Sequence, residues 1–217
     1  MTDDKTPLEL RAPLLDAMLE HVPFDGWSTT ALKHAADDLG VSTAMAELAY
    51  PGGSMEVLAA HLERADEDLR IALEALDLPA MRIRDRITIA VRTRFEQAAK
   101  HREAVRRGVS LHALPQNMAA GMKAGWRTAD VIWRACGDTS TDHNWYTKRA
   151  SLLAVYSSTL LYWLNDESDD FADTWAFLDR RIENVMSFEK AKFKMRAACA
   201  DAPSLSRFLG RLRYPGT

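Results

Sequence analysis

The sequence predicts an all-α fold, and three observations carry that prediction. Apolar residues recur at helical spacing along almost the whole chain. Strictly alternating β-branched runs are nearly absent, and Pro or Gly interrupts the periodic segments at helical lengths. The 217 residues are enough to bury a substantial core, and 47% hydrophobic with 27% charged residues is the composition of a folded domain.

The elements follow in order. Leu15, Met18, Leu19 and Val22 fall at i, i+3, i+4 and i+7, one stripe of a first helix that Pro23, Asp25 and Gly26 break. A short helix from Thr29 to Leu39 closes at Gly40, and Ser42 is placed to N-cap the next, which Pro51-Gly52-Gly53 ends. A long helix from Ser54 to Leu78 precedes Pro79, and another spans Arg82 to Lys100. Two more lie between Glu103 and Cys136. After the polar turn Gly137–Thr141, a helix runs from His143 to Leu164 and another from Ser168 to Phe188. Ala150 to Leu164 is the longest apolar stretch. At 15 residues it falls short of the roughly 20 that a membrane span needs, so it reads as a buried helix.

From Leu14 to Tyr50 the order of helices and turns resembles the helix-turn-helix end of TetR-type regulators. The chemistry departs from a DNA reader, because the segment from Ser42 to Tyr50 reads STAMAELAY, with no base-seeking or phosphate-neutralising cation and one acid, Glu47. The net charge of −3 adds no general attraction to nucleic acid. Nine Lys or Arg lie between Arg82 and Arg107, but acids interrupt them and the apolar residues keep helical spacing, as on a solvated helix face. We therefore expect no specific nucleic-acid partner.

No catalytic constellation is present: the chain has no glycine-rich phosphate loop, no GxSxG and no HExxH. None of the six histidines has a carboxylate three residues before it, so the Glu-x-x-His pattern of carboxylate di-iron bundles is missing. Cys136 and Cys199 have neither disulfide-framework nor zinc-site spacing and read as core thiols of a reducing compartment. The expectation is a non-enzyme with no catalytic residue and no metal.

The stretch Gly137-Asp138-Thr139-Ser140-Thr141-Asp142-His143-Asn144-Trp145-Tyr146-Thr147-Lys148-Arg149-Ala150 breaks local rules twice. Trp145 and Tyr146 are adjacent, so on a helix they point about 100° apart and cannot share one narrow core stripe. Lys148 and Arg149 stand in the first two turns, where the helix dipole disfavours positive charge. A capped helix start with its aromatics tucked against neighbours is one reading, and an exposed partner-binding hot spot is the other.

That block resembles the signature of the ninth coenzyme Q biosynthesis protein family. Phe24-Asp25-Gly26-Trp27, Leu114-Pro115-Gln116-Asn117 and Phe171-Ala172-Asp173-Thr174-Trp175-Ala176-Phe177-Leu178, the last followed by Arg181-Ile182, extend the resemblance along most of the chain. The resemblance implies a TetR-like helical bundle. Residues 1–52 would form a helix-turn-helix-like domain, 53–188 a lipid-binding and dimerising domain, and 189–217 a basic linker with an amphipathic helix. It implies a homodimer that binds an isoprenoid or quinone lipid and supports the di-iron demethoxyubiquinone hydroxylase. The partner surface would hold Trp145 and Tyr146, with Ile132, Asp142 and Arg149 beside them. A TetR-type regulator with an apolar ligand is the alternative.

A prenyl tail needs a deformable apolar lining. Met118, Met122, Trp126 and Trp133 offer one on one helix, and Leu152, Val155, Tyr156 and Leu160 on a later one. The tail from residue 189 carries seven basic and two acidic residues. Within it Leu205, Phe208, Leu209 and Leu212 form a stripe suited to a membrane surface or to packing on the chain's own domain. No basic leader precedes an apolar run at the N-terminus, where the family's eukaryotic members carry a mitochondrial presequence; with that departure the resemblance implies a bacterial cytoplasmic protein, peripheral at the inner face of the cytoplasmic membrane.

Overall fold

The computed structural model describes residues 5–141 and 143–200, with side chains through residue 188 except at 143. Among the described residues every regular element is helical. The nine α-helices are α1 (Pro7–Asp25), α2 (Thr29–Asp38), α3 (Thr43–Ala49), α4 (Gly53–Glu74), α5 (Ile83–Ala98), α6 (Arg102–His112), α7 (Met118–Ala135), α8 (His143–Trp163) and α9 (Ala172–Ala200).

Local chemistry sets the ends. α1 begins at Pro7 rather than near Leu14, because Thr6 and Glu9 form a reciprocal capping box. It passes through Pro23, since a proline in the last turn removes a single backbone donor, and stops at Gly26 with φ +68°. Ser28 and Ser42 cap α2 and α3 through their hydroxyls, as predicted for Ser42. α4 stops at Glu74, four residues earlier than expected, and Leu78–Ala80 forms a separate 3₁₀ turn around Pro79. α9 does not end at Phe188 but runs on to Ala200, because no Gly or Pro interrupts it.

The chain divides into two compact units, Met1–Leu178 and Asp179–Thr217. The division expected at residue 52 does not separate two cores. Leu15, Met18, Leu19 and Val22 of α1, Leu32 of α2 and Ala46 of α3 share one buried cluster with Val57 and Leu58 of α4 and Ala104 of α6. Trp27, just after α1, is buried and donates its indole N–H to the Ala104 carbonyl at 2.9 Å. The Phe24–Trp27 segment thus bolts the first three helices to the rest of the unit. The boundary expected at 188 falls inside α9.

A buried carboxylate joins the helices behind the second half of this unit. Asp66 of α4 accepts from Arg127 Nε at 2.7 Å and from the Thr128 hydroxyl at 2.8 Å, both on α7, with Arg94 Nε of α5 at 3.8 Å. Three elements are tied at one charge, each of whose oxygens accepts a hydrogen bond and which two guanidinium groups neutralise, the condition under which a buried ion is tolerated.

Candidate functional site: an apolar cavity and an aromatic patch

Helices α4 to α8 enclose a cavity of about 520 Å³. α7 turns Met118, Gly121, Met122, Gly125 and Thr128 toward it, and α8 turns Leu153, Tyr156, Ser157, Leu160 and Leu161. Both sets follow the i, i+3, i+4, i+7 rhythm of one helix face. Leu58 and Leu62 of α4, Phe95 of α5 and Val105 and Val109 of α6 complete the wall. Met118, Met122 and Leu161 are more than half exposed, so apolar side chains stand at the rim. Phe95 closes the interior, stacked on Tyr156 at 5.2 Å and on Trp163 at 5.4 Å between ring centroids. The volume and lining are those of a small-molecule pocket for an apolar ligand.

Of the eight expected lipid contacts, Met118, Met122, Tyr156 and Leu160 line the cavity. The other four do not. Leu152 and Val155 are buried one position off the cavity-facing stripe of α8. Trp126 joins Trp145 and Tyr146 in an aromatic cluster, at 5.7 and 6.4 Å. Trp133 donates its indole N–H to the Lys148 carbonyl at 2.9 Å, under the Lys148 ammonium. Apolar character alone does not say which way a helix faces. The glycines carry the missing signal: a Cβ at Gly125 would come within 2.7 Å of Leu153 Cδ1, and one at Gly121 within 2.9 Å of His112 Cβ. The Gly121-x3-Gly125 ladder marks the face of α7 that its neighbours approach.

The segment 137–150 resolves both of its local anomalies. Gly137 adopts φ +87° past the end of α7, and the amides of Gly137 and Asp138 donate to the carbonyls of Arg134 and Trp133 at 2.9 and 3.0 Å. This turn carries Asp138 to the first turns of α8. There its carboxylate receives Lys148 Nζ at 2.6 Å, Arg149 Nη1 at 2.7 Å and the Ser140 hydroxyl at 2.7 Å. Arg149 also donates to Asp130 of α7 at 2.7 Å. The cations at the wrong end of the helix dipole are therefore answered by carboxylates. Burial works against ionisation of Asp138, but its hydrogen bonds from Lys148, Arg149 and Ser140 prevail and hold it well below the usual carboxylate range.

The expected partner patch is corrected in part. Tyr146 is 60% exposed and Trp145 half-buried, with their rings edge to face at 4.7 Å and the Arg149 guanidinium 4.3 Å over Trp145. Ile132 and Arg149 are buried, with 0 and 1% of their surface accessible, so they support the patch from beneath and present nothing to a partner. A buried arginine held by the buried carboxylate of Asp138 and the half-buried one of Asp130 costs too much to withdraw from them. Asp142, Leu205, Phe208, Leu209 and Leu212 lie outside the described residues.

Other groups are chemically quiet. The Cys136 thiol is pushed up to about 11 by burial, against the pull of Arg86, and is inert as a nucleophile. Cys199 has no described side chain. Asp166 starts α9: burial opposes its ionisation, but hydrogen bonds from Ser168 and Thr174 lower it to about 2.

His61, on the cavity wall, is lowered to about 4 by burial, with the charges of Arg94 and Arg64 adding to the effect. A histidine lowered in the folded state contributes stability above its unfolded value of about 6.5, lost as pH falls toward 4. Asp138 and Asp166 contribute stability above about 3.8, lost only at lower pH. Acid titration of folding stability should therefore show an upper phase between about pH 6.5 and 4, worth roughly 3 kcal/mol. Chemical denaturation across this range should find that phase reduced by most of its size in His61→Gln, with a remainder from His101 and His112, which burial also lowers, and the lower phase retained.

Comparison with solved structures places the architecture. The TetR transcriptional regulator from Nitrosomonas europaea ATCC 19718 superimposes with a TM-score of 0.67 at 20% sequence identity, over 80% of this chain and 96% of its own. The molecule is therefore an all-helical protein of TetR-like fold, with an apolar cavity in the helices that follow its first three.

Residues 118–189, which contain α7, the 137–150 segment, α8 and the first part of α9, match the COQ9 family model. The mitochondrial ubiquinone biosynthesis protein COQ9 of Rattus norvegicus is 33% identical over 191 residues, covering 85% of this chain and 61% of its own length. The Homo sapiens protein of that name is 32% identical over 85% of this chain and 60% of its own. The probable ubiquinone biosynthesis protein coq9 of Dictyostelium discoideum is 25% identical over 94% and 68%. Most of this chain is thus similar to the COQ9 proteins, and it spans about three fifths of the length of the rat and human relatives.

Proposed function

We propose that this chain serves ubiquinone biosynthesis as a non-enzymatic lipid-binding accessory. It holds an isoprenoid quinone intermediate in the cavity between α4 and α8 and presents it to the di-iron demethoxyubiquinone hydroxylase. The relatives' names supply the pathway. The single observation that carries lipid binding is the apolar cavity of about 520 Å³ with Met118, Met122 and Leu161 exposed at its rim. Unbranched methionines adapt to a flexible chain, and the lining spends few polar groups on orientation.

Among the described residues no helix is long and apolar enough to cross a membrane. The reading is a homodimer that meets the bilayer peripherally, with the stripe from Leu205 to Leu212 at the surface. α3 supports it over gene regulation, since the residues α3 exposes, Ala44, Glu47 and Leu48, include no cation to meet a phosphate.

Mass spectrometry of an organic extract from the purified chain tests the cargo. A prenylated quinone precursor is expected, and an extract free of prenyl lipid, from protein that also fails to take up added prenylquinone, overturns the reading. For the partner, Tyr146 is the residue to truncate because it is exposed while Trp145 is packed. Tyr146→Ala should leave the melting temperature nearly unchanged and weaken hydroxylase binding by about 2 kcal/mol, near thirtyfold. Unchanged binding by calorimetry would move the interface elsewhere.

A further inference from the structure

Away from the cavity, α1 and α2 each carry the same spacing, His-x3-Asp: His21 with Asp25, and His34 with Asp38. Residues four apart stand on one face of a helix, so each pair points as a unit. The packing of α1 on α2 sets the two pairs against each other. They cross-connect: His21 Nε2 meets Asp38 Oδ2 at 2.6 Å, and His34 Nδ1 meets Asp25 Oδ2 at 2.8 Å. The two imidazole centroids are 5.3 Å apart. Ligand atoms of His21, Asp25 and His34 all lie within 4.8 Å of one another, and Asp38 touches the first of them.

We propose that His21, Asp25, His34 and Asp38 form a binding site for a divalent transition-metal ion with the preferences of zinc. Two imidazole nitrogens and two carboxylate oxygens are a zinc-type donor set, with bonds of about 2.0–2.2 Å. Nitrogen donors select such an ion over magnesium or calcium, which take oxygen. Two aspartates with two neutral imidazoles match the charge of a divalent cation. Hydrogen bonding uses these four groups only two at a time, whereas an ion placed between them uses all four and replaces the shared protons. The donors sit on helices that share one core; His21, Asp25 and His34 are already gathered within 4.8 Å, and Asp38, in contact with His21, would complete the set. The cost of ordering them is already met by the fold. The ion would clamp the end of α1 to α2, independently of the lipid cavity.

The test uses the full chain, free of any affinity tag and stripped with chelator, titrated calorimetrically with zinc chloride. One saturable zinc per chain is expected, with visible ligand-field bands on cobalt substitution and no competition from excess magnesium. His21→Ala and His34→Ala should each weaken zinc binding at least tenfold and abolish the cobalt bands, while His101→Ala leaves both unchanged. Asp25→Asn with Asp38→Asn serves as a second disruption should a histidine variant lose its helical circular dichroism. Zinc binding that is absent from the parent chain, or equal in parent and disrupted variants, overturns the proposal.

Discussion

Arg149→Met should lower folding stability by about 3–5 kcal/mol, the cost of breaking a buried ion pair from one side. Arg149 is 1% accessible and donates at 2.7 Å to both Asp130 and Asp138, the latter with a 3% accessible side chain. Methionine keeps much of the packed stem and removes the charge. Asp138 retains Lys148 and Ser140, and Asp130 retains Arg134 at 2.6 Å, so neither carboxylate is wholly abandoned. The loss should therefore fall toward the lower end of that range. Denaturant titration at neutral pH measures it. A change below about 1 kcal/mol would return Arg149 to the role of a surface contact. Because Arg149 also covers Trp145, its removal should loosen the aromatic patch, and indole fluorescence should report greater solvent access.

Phe95→Ala should cost about 3–5 kcal/mol, as large-to-small changes of buried aromatics do when the surroundings cannot collapse. Phe95 is 1% accessible and stacked on both Tyr156 and Trp163, so its ring has no substitute. The void it leaves would join the existing cavity. If that cavity holds a prenyl chain, added prenylquinone should restore part of the lost melting temperature, since a ligand that binds only the folded state stabilises it by mass action. Equal destabilisation with no recovery at saturating lipid would place the binding site elsewhere.

The cavity is where sequence and structure part most clearly. Met118, Met122, Tyr156 and Leu160 were legible only as adaptable apolar side chains, and they do line it. Trp126, Trp133, Leu152 and Val155 share the same apolar character, but one step of about 100° turns each from the cavity to a neighbouring helix. The walls from α4, α5 and α6 carried no sequence signal of their own. Leu58, Phe95 and Val109 look like any core residue until the helices are packed. The polar block at 137–150 behaves in the opposite way. Its unusual sequence marks it out, but only packing decides which of its side chains face solvent, with Tyr146 exposed and Arg149 enclosed.

What the sequence determined by itself was the all-helical class, the order of the helices and most of their ends. These depend on interactions within a few residues: apolar spacing, serine caps and prolines. It also determined the family resemblance, through the block around Trp145. Tertiary structure alone decided that the first three helices share a core with α4 and α6, which faces of α7 and α8 enclose a cavity, and that Asp138 gathers Lys148 and Arg149. The physical reason is the same in each case. A helix surface offers several faces of similar chemistry, and only packing against distant elements selects the one that is buried, the one that lines a void and the one left to solvent.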